Sequence, residues 1–270
     1  MIIGIISDLH VDVNFIEGDT IEDALLKVIH EKKLEVLIVA GDISNDYVKS
    51  LEVIDYIEQN TPCKCLFVPG NHDLWNLEHE DMIHTSDIYE QLKAHDSCLC
   101  DAPYILNDEY VIVGDVGWYD YSYGSDAYTL DQYLLGKQSE RQWQDKKYIK
   151  WHVSDKEKTL EFYEKLAMQL SRYPDKKVIF VTHMVTHQRM TVPLPKENWD
   201  YFNGFLGSGQ YGELFHDQVK YIVMGHVHYR ADFEEKGKTY ICRCLNYREQ
   251  WGAAQDAGEN VMETMKILEL

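Results

Sequence analysis

Residues 221–230, YIVMGHVHYR, contain the pattern on which the interpretation of the whole chain depends. Four apolar residues of the kind found in strands stop at a glycine, and two of the next three residues are histidines. Histidines two positions apart leave the end of a strand on the same side, so both imidazoles point towards one place. A metal site would explain this arrangement, and so would two surface histidines in a loop; the decapeptide alone favours neither.

Five further apolar runs precede this stretch, each short and bounded by Gly, Pro or polar residues. They are residues 2–6 (IIGII), 36–40 (VLIVA), 65–69 (CLFVP), 110–116 (YVIVGDV) and 177–182 (KVIFVT). Apolarity that is continuous rather than alternating is typical of strands covered on both faces. The runs therefore predict sheets that lie between other layers.

Helical patterns separate the predicted strands. Apolar residues recur at helical spacing over residues 20–33, 46–60 and 155–173, and strands that alternate with helices predict an α/β layered architecture. Two segments depart from this alternation: residues 117–153 are rich in Tyr and Trp, and residues 185–211 are rich in turns. We expect both to be elaborations of one domain that spans residues 1–270.

Composition and charge limit the partners of the protein. The chain has 270 residues, 45% of them hydrophobic and 27% charged, as in ordinary globular proteins. A formal net charge of -20, from 26 Lys and Arg against 46 Asp and Glu, disfavours long nucleic acid and anionic membranes as partners. No run approaches the roughly 20 apolar residues that span a bilayer, and the N-terminus lacks the basic region of a signal peptide, so a cytoplasmic location is expected.

The six cysteines fall in three Cys-x-Cys pairs. In a cytoplasmic protein, disulfides are uncommon, and same-face thiols on strands serve as small hydrophobic side chains. Zinc sites built from cysteines normally show Cys-x-x-Cys pairs, a spacing that is absent here. The pattern therefore predicts reduced thiols in the core.

Polar residues able to bind metals follow five of the six apolar runs. They are Asp8, His10, Asp42, Asn71, His72, Asp73, His183, His226 and His228. Ligand sites of α/β sheets lie at the carboxyl ends of strands, so these residues are expected to converge. Mixed Asp and His ligands suit Mn, Fe, Zn, Co or Ni. Without His72 and Asp73, seven ligand-type residues remain, enough for two ions about 3.5–4 Å apart that share a carboxylate.

These motifs resemble, in order, the signature of the calcineurin-like metallophosphoesterase family. The matching residues are Asp8-x-His10, Gly41-Asp42, Gly70-Asn71-His72-Asp73, His183 and Gly225-His226-x-His228. The resemblance spans residues 5 to 228 and implies a four-layer fold, a two-sheet β-sandwich flanked by helices, with a dinuclear metal centre at its edge. It also implies a hydrolase that cleaves phosphate esters by attack of a metal-bound hydroxide.

The resemblance further implies a role for each matching residue. Asp8, His10 and His228 would hold one metal ion; Asn71, His183 and His226 would hold the other, with Asp42 bridging both. His72 would contact the phosphate and protonate the leaving oxygen, with Asp73 orienting its ring. Asn45 stands where many family members have Asp, and His187 is the alternative to His183 as a ligand.

Candidate substrate contacts come from the two elaborations. Trp118, Tyr119 and Tyr121 directly follow a predicted strand and are expected either at the rim of the site, stacked on an aromatic group, or in hydrophobic packing. Backbone N–H groups near Ser208 form either a phosphate contact or only a turn. Arg189 follows the His183 turn and is a candidate phosphate clamp. The remaining histidines are expected at the surface: His30, His79, His84, His95, His152 and His216.

The expected substrate is a small phosphomonoester, a phosphodiester or a nucleotide. A nuclease of the same family is an alternative, but such enzymes are expected to have a basic surface and additional C-terminal domains. A protein phosphatase is a second alternative. A non-catalytic scaffold is the third, and it would have lost His72 or a metal ligand. The substrate, the native metals and the oligomeric state stay open at this point.

Overall fold

The computed structural model of the protein describes residues 1–75, 77, 84–252 and 256–270. Its strands are β1 (Ile2–Ile6), β2 (Val36–Ala40), β3 (Lys64–Val68), β4 (Tyr104–Ile105), β5 (Tyr110–Asp115), β6 (Lys137–Gln138), β7 (Arg141–Gln142), β8 (Lys177–Thr182), β9 (Val219–Met224), β10 (Arg230–Glu235), β11 (Lys238–Arg243) and β12 (Lys266–Glu269).

The α-helices within the same residues are α1 (Ile21–Lys32), α2 (Tyr47–Asn60), α3 (Thr85–Lys93), α4 (Leu130–Leu135), α5 (Asp145–Tyr148), α6 (Asp155–Ser171), α7 (Trp199–Phe202) and α8 (Ala257–Thr264). Short 3-10 helices cover His72–Leu74, Gln188–Met190, Asn203–Phe205, Gly209–Leu214 and Arg248–Gln250. None of these helices has the length and apolarity needed to cross a membrane.

Side-chain caps fix where the long helices begin. The Thr20 hydroxyl accepts a hydrogen bond from the backbone of Asp23 at the start of α1, and Asp46 caps α2 in the same manner. A reciprocal pair, Ser154 and Glu157, caps α6. Each such cap satisfies N–H groups that have no partner within the helix and stabilises it by about 1 kcal/mol.

Two sheets form the centre of the molecule. The first has the order β12-β1-β2-β3, and the second has the order β10-β11-β9-β8-β5-β4. The inner strands are parallel, and β12, β10 and β4 run antiparallel to their neighbours at the edges. β6 and β7 form a separate hairpin within the 117–153 elaboration.

Alternate residues of the strands face two different cores. Ile3 and Ile5 of the first sheet share a buried cluster with Ile179 and Val181 of the second, which places this cluster between the sheets. Neighbouring strand residues such as Phe67 pack in a second cluster that contains the apolar faces of the long helices. Burying one such side chain contributes about 1.5–3 kcal/mol. The predicted two-sheet sandwich flanked by helices is confirmed.

All six cysteines are buried and free of disulfides. The sequence prediction of reduced thiols in the core is therefore confirmed. Cys65 and Cys242 lie in strands, Cys63 and Cys244 directly beside them, and Cys98 and Cys100 in the segment between α3 and β4, where small apolar side chains fit.

Candidate metal centre

The loops that follow β1, β2, β3, β8 and β9 meet at one edge of the sandwich. Backbone hydrogen bonds join them: the Asp8 amide donates to the Gly41 carbonyl over 2.9 Å, and the His10 amide donates to the Asp42 carbonyl over 3.0 Å. Because the parallel strands end on the same side, their loops bring all seven predicted metal ligands together. Three overlapping groups have possible ligand atoms within 4.8 Å of one another: Asp8, His10 and His228; Asp42, His183 and His226; and His10 and Asp42 with the neighbouring His72.

Five of the seven predicted ligands have backbone φ angles in the left-handed region. They are Asp8 (53°), His10 (43°), Asp42 (53°), His226 (72°) and His228 (56°). Such angles are uncommon for residues other than glycine and cost roughly 1–3 kcal/mol each. A folded chain keeps this strain where the surrounding structure requires it, which is typical of functional sites.

Asp42 lies at the centre of the cluster. Its Oδ1 accepts a hydrogen bond from the His72 amide over 2.9 Å, so the carboxylate is held in one orientation. Its Oδ2 then lies 3.3 Å from Nε2 of His183 and 3.9 Å from Nε2 of His10. This carboxylate faces both halves of the site and is placed to be shared between two ions.

The first half of the site contains Asp8, His10 and His228. The Nε2 atoms of His10 and His228 face each other at 3.3 Å, and Nε2 of His228 lies 3.7 Å from Oδ1 of Asp8. Gln250 Oε1 accepts from Nδ1 of His228 over 2.8 Å, which leaves the lone pair on Nε2. Two facing imidazole nitrogens beside a carboxylate form a donor set that suits a divalent cation.

The second half contains Asn71, His183 and His226. Nδ1 of His183 donates to the Ala40 carbonyl over 2.8 Å, so Nε2 is the nitrogen that faces the site, 3.0 Å from Oδ1 of Asn71, and it would become a ligand when a cation displaces its proton. Nε2 of His226 pairs with the Phe205 carbonyl at 3.3 Å, which leaves Nδ1 as the available ligand atom. Carbonyl partners of this kind fix the tautomer of metal-binding histidines.

The charges of the cluster favour a bound cation. Burial alone would raise the pKa of the Asp42 carboxyl, but the neighbouring His183 and His72 hold it well below its usual value. Burial opposes charge on His183 too, yet Asp42 raises the pKa of His183 to about 10. Burial lowers the pKa of His226 to about 4. One buried carboxylate thus draws positive charge while the neutral His226 keeps a free lone pair, and both features fit a metal ion.

Glycines allow the ligand loops to approach each other. A Cβ atom on Gly70 would lie 2.1 Å from Oδ1 of Asp42, and a Cβ atom on Gly41 would lie 2.5 Å from Nδ1 of His183. No side chain fits at either distance. The Gly-Asp and Gly-Asn dipeptides of the sequence therefore have a steric origin.

His72 lies beside the predicted ligands with its ring packed on Trp75, at a centroid distance of 3.7 Å. Its Nε2 faces Oδ2 of Asp42 at 3.9 Å, and its Nδ1 pairs with Oδ1 of Asn45 at 2.5 Å. Burial lowers the pKa of His72 well below its usual value. Asn45 is therefore the residue that orients this ring.

The predicted role of Asp73 in orienting His72 is corrected by this geometry. The Asp73 carboxylate points away from the ring and accepts hydrogen bonds from the Gly70 amide (2.7 Å), the Ile43 amide (3.0 Å) and the Ser50 hydroxyl (2.5 Å). It joins the loops after β2 and β3. Its influence on His72 is through the backbone, because its oxygens are already occupied.

Asp145 is a buried carboxylate that sequence reasoning missed. Its Oδ1 accepts from Nδ2 of Asn71 over 2.8 Å and from the indole of Trp75 over 2.7 Å, while its Oδ2 accepts from the indole of Trp143 over 2.9 Å. Burial raises its pKa to about 6, although the three donors act in the opposite direction. By holding the amide nitrogen of Asn71, Asp145 directs the amide oxygen towards His183. Its position in the Trp-rich segment gave no sequence signal.

A cavity of about 730 Å³ opens beside the cluster. Asp42, Asn71, His72, His226 and His228 line its floor. Aromatic walls come from Trp75, Trp143, Trp199, Tyr229 and Tyr247. Residues 140–145 of the first elaboration and several residues of the second lie along it, so both elaborations help to shape the cavity.

Trp118, Tyr119 and Tyr121 do not lie at the rim of the site, so the predicted stacking role is wrong; the alternative, hydrophobic packing, is what the structure has. These side chains are only 0%, 1% and 6% exposed and do not line this cavity. The Trp118 indole donates to Asp155 over 2.8 Å, and the Tyr121 hydroxyl donates to the same carboxylate. They pack in the interior of the first elaboration, and different aromatic residues line the cavity.

Ser208 does not have free groups for a phosphate. Its amide donates to the Val185 carbonyl over 3.1 Å, and its hydroxyl donates to Asp120 over 2.6 Å. The side chain is fully buried. The alternative, a turn followed by a short 3-10 helix, is what the structure has.

Arg189 and His187 also lie away from the cluster. The Arg189 guanidinium stacks on Phe233 at 4.1 Å and lies 3.9 Å from Glu235, which Nε2 of His187 approaches to 3.4 Å. The proposed phosphate clamp is therefore corrected, and His183 rather than His187 joins the cluster. Of the remaining histidines, His30, His84, His152 and His216 are exposed, His95 is half-buried and His79 lies outside the described residues.

Comparison with known protein families gives one match over most of the chain. The model of the family described as calcineurin-like phosphoesterase matches residues 1–230. Comparison with curated proteins gives no match.

Among solved structures, the chain is similar to the phosphopantetheinyl hydrolase of Mycobacterium tuberculosis, with a TM-score of 0.70 and 17% identity over 94% of this chain and 93% of that one. A dimetal phosphatase from Danio rerio gives a TM-score of 0.50 and 16% identity, covering 90% of this chain and 86% of the other. At these identities, the similarities are evidence for the fold.

Proposed function

This chain belongs to the calcineurin-like phosphoesterase family, enzymes that hydrolyse phosphate esters, and we propose that its substrate is a small phosphomonoester, phosphodiester or nucleotide. The proposal rests on the position of Asp42, whose free oxygen faces histidines of both halves of the cluster beside a large cavity. Two divalent cations, chosen from Mn, Fe, Zn, Co and Ni, are the proposed cofactors.

The seven ligands are assigned to two ions. Asp8, His10 and His228 would hold one ion, and Asn71, His183 and His226 would hold the other, with Asp42 shared between them. When bound, such a pair lowers the pKa of a water molecule towards neutrality and offsets the charge on phosphoryl oxygens.

His72 is the proposed acid for the leaving oxygen. Its Nε2 faces the cavity side of the cluster, while Nδ1 donates to Asn45 and so keeps the ring in position. A neutral amide partner holds the ring without adding negative charge. Burial lowers the pKa of His72, so the free ring is neutral with its proton on Nδ1. The negative charge of a bound phosphate would stabilise the doubly protonated ring, whose Nε2 proton can then pass to the leaving oxygen.

The cavity favours a small substrate over a polymer. Its volume of about 730 Å³ lies within the range of roughly 300–1,000 Å³ that small-molecule sites occupy. The net charge of -20 supports the same choice, because it disfavours long nucleic acid. A cytoplasmic location is part of the proposal and is supported by the six free cysteines.

The proposal is tested by hydrolysis after metal removal and re-addition of Mn²⁺. We expect Mn²⁺-dependent turnover of 4-nitrophenyl phosphate or of bis(4-nitrophenyl) phosphate, and the preferred ester identifies the substrate class. Asp42→Asn should abolish turnover. His72→Ala and Asn45→Ala should lower turnover of phenyl phosphate by about 100-fold or more, and that of 4-nitrophenyl phosphate less, because nitrophenolate leaves with little help from an acid.

His187→Ala is the matched control, since this histidine lies outside the cluster and pairs with Glu235. It should retain wild-type turnover. Full activity of the metal-stripped protein, or of Asp42→Asn, would contradict the proposal. Equal losses on both leaving groups in His72→Ala would contradict the role of His72 as the acid.

A further inference from the structure

Two cationic side chains line the cavity beyond the candidate metal centre. They are Arg141 on β7 and Lys196 in the second elaboration, and no other lysine or arginine of the described residues lines it. Neither makes an ion pair or a hydrogen bond with another described residue. In a chain with a net charge of -20, two uncompensated cations in one cavity are a feature that the metal centre does not explain.

Aromatic rings hold the two cations in place. The Arg141 guanidinium lies 4.7 Å from the ring centroids of both Trp199 and Phe202, and the Lys196 ammonium lies 5.1 Å from that of Trp199. Stacking uses the faces of the guanidinium and leaves its edge N–H groups free to donate. A planar fork with free donors and an ammonium group, both held at the Trp199 ring in the same cavity, are suited to an oxyanion.

Two rings separate this pair of cations from the metal centre. The Trp143 ring contacts the ring of His226 at 5.7 Å and the ring of Phe202 at 6.2 Å, and Phe202 in turn contacts Arg141. A ligand in the cavity would therefore pass an apolar wall between the metal ions and the cations. Trp143 itself is fixed by its hydrogen bond to Asp145.

We propose that Arg141 and Lys196 form a second oxyanion site, so that the substrate is a phosphate ester with a flat or apolar body and a second anionic group. The second group is a phosphoryl or a carboxylate group, which share the chemistry that a guanidinium recognises. This inference rests on the proposed function, since the first phosphate is placed at the metal centre. If Arg141 only held the β6–β7 hairpin in place, stacking on aromatic rings would be enough. Free N–H donors and a lysine in the same cavity would not be required.

Glu140, in the same hairpin, allows a second test in which the expected effect has the opposite sign. It lines the cavity next to Arg141 in the sequence, and among the described residues its carboxylate makes neither an ion pair nor a hydrogen bond. A carboxylate in this position repels a second anion on the ligand. Removing its charge should therefore strengthen binding of a doubly anionic ligand, opposite in sign to the effect of removing Arg141.

Binding of non-hydrolysable phosphonates to the Mn²⁺-loaded protein tests the inference without relying on turnover. Isothermal titration calorimetry would compare alkyl monophosphonates, α,ω-bisphosphonates and ω-carboxyalkyl phosphonates with four, six and eight carbons. For at least one length, we expect a second anionic group to lower Kd by about tenfold. A gain for bisphosphonates alone identifies a phosphoryl group as the natural partner, and a gain for both series identifies a general oxyanion site.

Variants assign the gain to the two cations. The double variant Arg141→Gln/Lys196→Gln should remove it and leave the monophosphonate Kd within about twofold of wild type. Glu140→Gln should increase the gain. Lys137→Gln is the control, because Lys137 is exposed on the same hairpin and does not line the cavity.

The outcomes separate this inference from the proposed function. Monophosphonate binding without any gain from a second anion, or a gain that survives in the double variant, would overturn the second site alone. Monophosphonate binding that is unchanged after metal removal would contradict the metal centre, and a gain that persists in the same protein would still support the second site. Failure of every phosphonate to bind would overturn both.

Discussion

At the scale of single residues, the site depends on side chains that are not ligands themselves but hydrogen-bond to the predicted ligands and to His72. Asn45 orients His72, Gln250 fixes the tautomer of His228, and Asp145 holds the amide of Asn71. Such partners set the direction of a ligand atom and the basicity of the ligand. Asp145 is the most connected of them, because it also holds two indoles of the cavity wall.

Replacing Asp145 with Asn should weaken metal binding more than it weakens the fold. The amide would turn an N–H₂ group towards donors that need an acceptor, so Asn71 would lose its fixed direction. We expect Mn²⁺ to bind one of the two sites about 10–100-fold more weakly, measured by isothermal titration calorimetry.

Asp155→Asn is the matched control for this change. Asp155 likewise accepts from an indole, that of Trp118, but it contacts none of the predicted ligands. Its replacement should lower Tm and leave Mn²⁺ affinity unchanged. If both variants changed Tm and Mn²⁺ affinity in parallel, the positioning role of Asp145 would be wrong.

At the scale of elements, the strands and helices with a local pattern could be predicted from the sequence, and the others could not. The six apolar runs and the three long helices all have counterparts in the structure. β10 has the sequence RADFEE, and its six residues are half-buried or exposed, so no apolar run marks it. It is an edge strand that pairs with β11 across the Lys236–Gly237 turn, and edge strands of this kind do not need the apolar run that marked the other strands.

A carboxylate between α3 and α6 provides a test of how elements are held together. Asp101 lies 2.9 Å from the ammonium of Lys93 and 2.7 Å from that of Lys165. Burial alone would raise the pKa of Asp101, but hydrogen bonds from Lys165 and Lys93 outweigh it and lower this pKa below 3.8. Asp101 is half-exposed, so solvent screens the interaction.

Asp101→Asn should therefore destabilise the protein by less than about 1 kcal/mol at neutral pH. Because the pKa is lower in the folded state, the contribution of Asp101 is complete above the unfolded pKa and is lost as pH falls through the folded pKa. Urea unfolding from pH 7 downward should show the two proteins converging in the acid range. A difference in unfolding free energy between the two proteins that grew as pH fell would contradict this assignment. Asp96→Asn, at an exposed position nearby, is the control and should leave the unfolding free energy unchanged at both neutral and acid pH.

At the scale of the whole molecule, the metal centre and the cavity have different origins. The predicted ligands follow strands that end at one edge of the sandwich, so the order of the motifs was enough to bring them together. The cavity walls come from the two elaborations, whose path depends on packing among aromatic side chains such as Trp143 and Trp199. For this reason, the sequence left the position of Trp118 and Tyr119 open between the rim and hydrophobic packing; the structure buries them and places other aromatic residues at the cavity.

The charge of the molecule connects the two regions. An acidic protein repels an anionic substrate at long range, so attraction must arise locally from bound cations and from the few basic side chains in the cavity. Among the described residues that line the cavity, the Arg141–Lys196 pair supplies positive charge, and the candidate metal centre would supply it with its ions bound. Raising the ionic strength should weaken binding at both.

Phosphate ester hydrolysis by this protein is proposed to need two ions that share Asp42 as a ligand. Titration of the metal-free protein with Mn²⁺, followed by 4-nitrophenyl phosphate turnover and electron paramagnetic resonance, tests this requirement most directly. We predict that turnover rises between the first and second equivalents together with the signal of a coupled Mn²⁺ pair, as expected for ions about 3.5–4 Å apart. Full turnover at one equivalent, without a coupled pair, would contradict the account.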